Sequence, residues 1–412
     1  MRATEAAART ADARGLRLLG HSDLGGYGDG MQVLRDGDAL YVGHVGASGM
    51  GTSILEVSDP ARPKLVRQLP APPGTHSHKV QVAGGLLLVN HERFRGSDAW
   101  SAGMAVYRLG DPFTPRQIGW FDAGGQGVHR IVWDGGRYAY LSATPDGAAR
   151  QGRVWLIVDL ADPEHPVEAG RWSWPGPVPA GKRYAAHHAL VQGERAYLGY
   201  GDAGMVILDI ADVTRPRLVA QLNWAPGGDT HTCMPLPGRG LVVVTDEATA
   251  DRCQEDPKLV RVVDVHDETH PAVIGLCPPP EGDFCQRGLR FGPHNLHEHR
   301  TAQPAYRSET LIFVTYFNAG LRVYDLTDPT APAEVAHFIP TPAEGQEAPQ
   351  SNDVFVDASG LVYLTDRVGG GLDILQPDAT LAARMRRAAQ RASSRLRPNA
   401  GIRSAFVPRV SF

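Results

Sequence analysis

The 412-residue chain lacks the sequence features of several large protein classes. It contains no run of 18 apolar residues, and its first 15 residues have no apolar segment of the kind a signal peptide requires. We therefore expect neither a membrane span nor export through a standard signal. No Gly-x-Gly-x-x-Gly, Walker or Gly-x-Ser-x-Gly motif stands in a strand–turn–helix context, so nucleotide cofactors and serine hydrolase chemistry are not indicated.

Cysteine and net charge are also low. The four cysteines, at 233, 253, 277 and 285, show no Cys-x-x-Cys spacing. They allow a pair in an oxidising compartment, but we expect reduced thiols in a cytoplasmic protein. A net charge of -4 gives no electrostatic reason to expect nucleic acid as a partner. The charge is uneven, because residues 381–412 contain eight arginines and no acidic residue.

One motif, an apolar strand followed by Asp-x-x-x-Pro, recurs along the chain. Its six aspartates are separated by 50 to 61 residues: Asp59, Asp111, Asp162, Asp212, Asp267 and Asp328. An aspartate can accept hydrogen bonds from the backbone N–H groups just after it, and proline then fixes φ, so the motif predicts a turn. A period near 50 residues, with about four short strands in each repeat, is typical of a propeller blade.

The ends of the chain predict how the ring closes. After Asp328 only three strands follow, and the missing fourth resembles "LRLLGH" at 16–21. Pairing both ends in one blade leaves no exposed sheet edge. We therefore predict an all-β, seven-bladed β-propeller over residues 16–378, closed by an N-terminal strand in the last blade. A flexible N-terminus (1–15) and a basic C-terminal tail (379–412) would flank it. We expect this tail to be disordered, with a short basic helix as the alternative.

The repeat also carries a family resemblance. "WLIVDLADPEHP" at 155 and "MVILDIADVTRP" at 205 resemble the LVIVD repeat, and the resemblance extends over roughly residues 17–377. It implies the propeller fold and says little about function, because that family is largely uncharacterised.

Histidine recurs at an equivalent place in the repeats, the start of the innermost strand. Five of the seven predicted blades have it: His78, His129, His187, His231 and His294. Blade seven has Asp353 near this place, and blade one has Asp29. Since equivalent positions in a ring meet at one mouth of the central channel, we expect these five imidazoles to lie together. We call them the histidine ring.

Further imidazoles, carboxylates and phenols are predicted on the same face, at the ends of the second strands. These positions are His44, His91, Tyr200, Asp246, Glu247, Tyr316 and Asp366. Asp246, Glu247 or Asp353 would serve as a catalytic base. Glu298 is a further candidate proton acceptor, although a solvated loop glutamate is the more common case. Strand alternation directs only one of His187 and His188 to the channel, and turns Arg130 towards a neighbouring sheet.

Neutral imidazoles suit a divalent transition metal, here Fe, Mn, Zn or Cu. The architecture is similar to that of multi-His metal-binding propellers such as carotenoid-cleavage oxygenases and the copper-dependent methanethiol oxidases. This resemblance implies a metal-dependent enzyme acting on a small organic substrate, with a slight preference for oxidation or oxygenation. A metal-dependent hydrolase or lyase is the first alternative. A non-catalytic scaffold that binds proteins, in which the histidines are part of the repeat, is the second. The oligomeric state is not indicated.

Overall fold

The computed structural model describes residues 9–46, 48–147, 152–225 and 228–395, with side chains through residue 390. Almost all of its regular structure is β-strand, in antiparallel groups that follow the chain. The groups assigned to blades one, two and three contain β3 (Gly30–Asp36), β4 (Ala39–His44), β5 (Met50–Glu56) and β6 (Lys64–Pro70); β7 (Thr75–His76), β8 (Val80–Ala83), β9 (Leu86–Arg93), β10 (Gly103–Arg108) and β11 (Arg116–Asp122); and β12 (Gly127–Val132), β13 (Tyr138–Thr144), β14 (Val154–Asp159) and β15 (Val167–Trp172).

The second half of the chain continues the same order. Blades four and five contain β16 (Tyr184–Gln192), β17 (Arg195–Gly201), β18 (Met205–Asp209) and β19 (Arg217–Leu222); and β20 (Thr230–Leu236), β21 (Leu241–Asp246), β22 (Val260–Asp264) and β23 (Ala272–Leu276). Blades six and seven contain β24 (Leu311–Thr315), β25 (Leu321–Asp325) and β26 (Ala333–Pro340); and β27 (Ser351–Val356), β28 (Val362–Asp366) and β29 (Gly371–Pro377). The β-propeller is thus confirmed, and the strand pairing is compatible with the predicted count of seven blades.

The predicted closure by the N-terminal strand is confirmed. β2 (Leu16–Ser22) pairs antiparallel with β29, with Leu18 opposite Leu375. The preceding β1 (Thr10–Arg14) pairs with β26 and adds an outer strand to blade six. The prediction of a flexible N-terminus is therefore wrong for residues 10–14, and residues 1–8 lie outside the described part of the chain.

The Asp-x-x-x-Pro motif forms the predicted turn in every copy. Asp59 accepts a hydrogen bond from the backbone N–H of Ala61 at 3.1 Å, and Asp212 accepts one from that of Thr214 at 3.0 Å. The other four aspartates make the same contact two residues ahead. Because each turn joins the third and fourth strands of its sheet, the motif fixes where every blade reverses at its outer edge.

Apolar side chains pack between successive sheets. The third strands carry much of this core, as in β18, where Met205, Val206, Ile207 and Leu208 are completely buried. Sheets whose faces are both covered need strands that are apolar on both faces, which explains the near-continuous apolar runs of the repeat.

The tail forms a helix, α1 (Ala379–Arg395), rather than the expected disordered segment. Leu381, Met385 and Ala388 pack on apolar residues of blades six and seven, and Tyr306 Oη donates a hydrogen bond to the Met385 carbonyl at 3.1 Å. The apolar positions at intervals of three and four residues explain why this face is buried. Residues 396–412 of the predicted tail lie outside the described range. No helix in the described ranges is long and apolar enough to cross a membrane.

Candidate metal centre

The innermost strands are irregular at the level of the histidine ring. In β12 and β20 the pairing register shifts by one residue at His129 and His231, and β3 and β27 show the same shift at Met31 and Asn352. In β16 the irregularity covers residues 185–187. Such bulges break strand alternation, so two consecutive residues can both reach the channel.

The five histidines of the ring lie side by side, as expected. The distances between successive ring centroids, from His78 through His129, His187 and His231 to His294, are 5.1, 4.8, 3.9 and 4.3 Å. Burial is the main reason that the pKa of each falls well below its usual range, so the imidazoles are neutral at pH 7.

Glu247 faces three of these histidines. Its carboxylate oxygens lie 3.9 Å from Nε2 of His187, 4.0 Å from Nε2 of His231 and 3.7 Å from Nε2 of His294. Arg290 also approaches Glu247, with Nη1 3.3 Å from Oε1. Ligand atoms of His187, His231 and Glu247 lie within 4.8 Å of one another, which is compatible with a shared cation.

Hydrogen bonds on the far side of two rings determine which nitrogen carries the proton. Nδ1 of His294 lies 2.7 Å from the Asn352 carbonyl, and Nδ1 of His129 lies 2.8 Å from a Glu92 oxygen. Both partners only accept hydrogen bonds, so Nδ1 is the donor in each neutral ring and Nε2 keeps its lone pair. Nε2 of His129 is 3.1 Å from Nε2 of His187.

In His78 the two ring nitrogens have the opposite roles to those in His129 and His294. The Asn90 amide accepts the Lys79 backbone N–H through Oδ1 at 2.7 Å, and its Nδ2 group lies 3.2 Å from Nδ1 of His78. Nδ1 of His78 therefore accepts, and its Nε2 carries the proton. This Nε2 is buried and has no hydrogen-bond partner among the described residues.

A second set of polar side chains lies one residue further along the inner strands. Arg130 is 1% exposed, and its Nη2 contacts Glu298 at 3.3 Å and His188 at 3.4 Å. Nε2 of His188 lies 3.0 Å from Glu298. Since these residues come from blades three, four and six, the contacts cross the channel. The predictions that Arg130 faces a neighbouring sheet and that only one of the adjacent histidines reaches the channel are therefore wrong, and the bulges are the reason.

Glu298 lies in this network and not in a solvated loop. Burial alone would raise its pKa, but His188, Arg130 and Arg300 hold it well below its usual range. Glu298 is therefore a carboxylate that balances buried cations, which leaves it poorly suited to accept a proton.

Asp353 lies one position beyond the predicted place, because Asn352 occupies the bulge of β27. Its Oδ2 accepts the Val33 backbone N–H at 3.0 Å. Burial raises its pKa to about 7, although the nearby Arg130 and Lys79 oppose this shift. Lys79 is itself 2% exposed, and its Nζ makes no hydrogen bond or ion pair with any described residue.

The remaining predicted residues of this face have structural partners. Asp246 forms an ion pair with Arg261 and also accepts a hydrogen bond from the Leu259 backbone N–H at 3.3 Å. Both contacts lie within blade five and stabilise it. His44 contacts Asp29 at 2.6 Å and Ser53 at 2.7 Å. Asp366 accepts backbone N–H groups. The side chains of His91, Tyr200 and Tyr316 are buried among aromatic neighbours.

A disulfide joins two loops beside the ring. Cys253 follows Glu247 in the loop after β21, and Cys285 precedes His294 in the segment after β23. The expectation of reduced thiols is wrong for these two residues. Cys233 and Cys277 are free and buried, and burial raises the pKa of both thiols.

A cavity of about 490 Å³ lies at the opposite ends of the inner strands. Its lining includes Trp133, Tyr138, Tyr140, Glu298 and Arg300. Glu298 therefore stands between this cavity and the buried Arg130, on the side of the channel away from the ring.

Comparison with known proteins agrees with the fold. The C-terminal WD40 domain of Sif2 superposes with a TM-score of 0.54 at 8% identity, covering 90% of this chain and 100% of that chain. The WD40 propeller domain of Doa1 gives a TM-score of 0.54 at 9% identity, covering 90% of this chain and 97% of that one. At such identity the likeness concerns the fold alone. No curated protein matches the chain.

The sequence-family comparison matches one repeat. Residues 185–223, which extend from the ring histidine of blade four to the end of its outer strand, match the model described as the LVIVD repeat. The chain therefore carries the LVIVD repeat and has the architecture of a β-propeller.

Proposed function

We propose that the chain is a metal-dependent enzyme in which a divalent transition metal (Fe, Mn, Zn or Cu) is held at one mouth of the propeller channel. The ligands would be the Nε2 atoms of His129, His187, His231 and His294. Glu247 would complete the ligand set or accept a proton beside it. The substrate would be a small organic molecule.

The observation that carries this proposal is a concentration of unshared lone pairs. Nε2 of His294 has its lone pair facing a carboxylate oxygen of Glu247 at 3.7 Å, with no proton available on either atom. A cation between two such groups removes their repulsion. The separation of 3.1 Å between Nε2 of His129 and Nε2 of His187 lies within the roughly 3.0–3.4 Å expected for neighbouring ligands of an octahedral or tetrahedral ion with bonds of about 2.1 Å.

Buried nitrogen atoms without partners support the same conclusion. Nε2 of His231 is inaccessible to water and has no hydrogen-bond partner among the described residues. Leaving a buried polar atom unpaired costs about 1–3 kcal/mol, which a metal bond would offset. Glu92 behind His129 and the Asn352 carbonyl behind His294 fix the ring orientations, as outer partners of metal-binding histidines usually do.

Four neutral ligands leave the charge of the metal largely intact, so it would polarise a bound oxygen or exchange electrons with the substrate. We favour an oxidoreductase or oxygenase slightly. A hydrolase or lyase at the same site would use Glu247 as its base, since Glu247 contacts the proposed ligands whereas Asp246 is engaged by Arg261. The sequence predicts a cytoplasmic location. The disulfide between Cys253 and Cys285 favours an oxidising compartment instead.

Metal analysis tests the proposal. Protein prepared without a histidine tag should contain a stoichiometric transition metal by mass spectrometry, and His231→Ala or His129→Ala should lose it. His266→Ala is the matched control, because His266 lies on an exposed outer turn beside Asp264. This variant should keep its metal.

Two results would count against an enzyme of this kind. One is wild-type protein that stays metal-free after incubation with each of the four metals. The other is metal content that His231→Ala leaves unchanged. Metal-free protein with unaltered stability in both ring variants would favour the scaffold alternative.

A further inference from the structure

The half of the channel that belongs to blades two and three contains hydrogen-bond donors without acceptors. They are Nε2 of His78 and Nε and Nη1 of Arg130, which are buried without a partner. Nζ of the buried Lys79 likewise makes no hydrogen bond or ion pair with a described residue. His78, Lys79 and Arg130 are 0%, 2% and 1% exposed. Unpaired buried donors and charges are rare in native proteins, because each carries a desolvation cost that only a partner removes.

The neighbouring carboxylates do not supply this partner. Glu298 receives Nη2 of Arg130, but it is shared with His188 at 3.0 Å and Arg300 at 3.4 Å. Asp353 accepts from the Val33 backbone, and its side chain forms no ion pair with Lys79 or Arg130 within 4 Å in the described structure. Hydrogen-bond donors of His78 and Arg130 are therefore left without an acceptor at this level of the channel.

The mouth above the ring adds further positive charge. The guanidinium groups of Arg153 and Arg367 make no hydrogen bond or ion pair with a described residue, and burial lowers the pKa of each to about 10. Arg367 lies over the Phe317 ring at 6.0 Å, and Phe317 also contacts the ring of His294 at 4.8 Å. A positive rim raises the local concentration of small anions.

We propose that the substrate of this site is a small organic anion whose carboxylate accepts hydrogen bonds from His78, Lys79 and Arg130. The inference rests on the proposed function for the presence of a substrate, and it names the class of that substrate. It assigns His78 a binding role as an N–H donor in place of a metal-ligating one. The two halves of the channel then differ: blades four to six hold Glu247 and the imidazole lone pairs of His187, His231 and His294, whereas blades two and three hold these donors beside the lone pair of His129.

Each of the three donors suits this task for a different reason. His78 can offer only its Nε2 proton, because the Asn90 amide occupies Nδ1. Lys79 contributes an amine that pairs with no described residue; burial holds its pKa well below the usual range, and a bound carboxylate would favour its protonated form. Arg130 keeps two nitrogens, Nε and Nη1, free to donate, while Nη2 contacts Glu298, which fixes the plane of the guanidinium. Hydrogen bonds to a charged acceptor are stronger than those between neutral groups, so each of these donors favours a carboxylate over a neutral ligand.

Binding to metal-free protein tests the inference separately from the metal. Pyruvate and its neutral methyl ester, methyl pyruvate, would be titrated calorimetrically into protein stripped of metal. We expect pyruvate to bind and the ester to bind at least about tenfold more weakly. Lys79→Met should weaken pyruvate binding by at least about tenfold while leaving the melting temperature equal or higher, because the lysine loses no partner.

Lys258→Met is the matched control. Lys258 is also buried, but it pairs with Glu255 at 3.2 Å and with Asp229 at 3.6 Å. It should lower the melting temperature and keep the affinity for pyruvate. The inference is overturned if pyruvate does not bind at millimolar concentration, if pyruvate and its ester bind equally, or if Lys79→Met retains full affinity. Wild-type protein that takes up none of the four metals when incubated with them, and still binds pyruvate, would refute the proposed enzyme but not the anion site.

Discussion

Removing the disulfide is expected to destabilise the chain by an amount that its loop length sets. Cys253 and Cys285 are separated by 32 residues. For a closed loop of this size, the lost entropy of the unfolded chain corresponds to about 3–4 kcal/mol at 25 °C. Replacing both cysteines by serine should lower the free energy of unfolding by this amount, measured by guanidinium denaturation under non-reducing conditions. It should also weaken metal retention, because the bond joins the loop after Glu247 to the segment before His294.

Reductant provides the control for this experiment. It should shift the denaturation midpoint of the wild type towards that of the double-serine variant and leave the variant itself unchanged. A variant as stable as the oxidised wild type would show that the two loops are held together without the bond. A midpoint of the variant that itself falls in reductant would show that another thiol pair is responsible.

Three further changes test the packing and the electrostatics. Gly199→Ala would place a Cβ 2.2 Å from the carbonyl oxygen of His231, so it should lower the free energy of unfolding by about 1–3 kcal/mol and reduce the metal content. Gly110→Ala is the control, because a Cβ there meets nothing within 4 Å, and it should change neither quantity. Burial raises the pKa of Asp353 to about 7, so the folded state binds a proton that the unfolded state releases, and this group's contribution to stability falls as pH rises from about 4 to 7. Asp353→Asn cannot titrate, so its unfolding free energy relative to that of the wild type should increase over this pH range. A difference that does not change with pH would contradict the prediction. Leu381→Ala should cost about 2–3 kcal/mol of unfolding free energy if α1 is part of the folded unit, and nothing if it is not.

The fold was predictable because its signals are local and repeated. The turn at Asp59 needs only the aspartate, the following backbone and a proline, and the same chemistry recurs at Asp328. The closing strand was recognisable because Leu16 and Leu18 repeat the pattern of an outer strand in a chain that otherwise ends one strand short. Equivalent places in such repeats also bring the five ring histidines together, which sequence alignment of the blades was sufficient to predict.

The surroundings of the ring depended on features that no local pattern indicates. A bulge at His129 adds one residue without changing the apolar pattern of β12, so strand alternation alone predicts, wrongly, that Arg130 faces away from the channel. Asp353 was placed one position too early for the same reason. The pairing of Cys253 with Cys285 depends on how two separate loops come together in the folded chain. The burial of one face of α1 depends on an apolar surface that blades six and seven form together.

The bulges direct two consecutive side chains of a strand to the channel where an ordinary strand would direct one. One set of side chains, represented by His231, meets at the mouth, and the next residues of the strands form a second set beneath it, represented by Arg130. Substitution of Lys79 or Arg130 would alter the donors offered to a ligand without removing a hydrogen bond of the ring histidines. Homologues that have diversified in substrate should therefore vary at the positions of Lys79 and Arg130 while keeping the histidines, and residues inserted or deleted at a bulge should be strongly selected against.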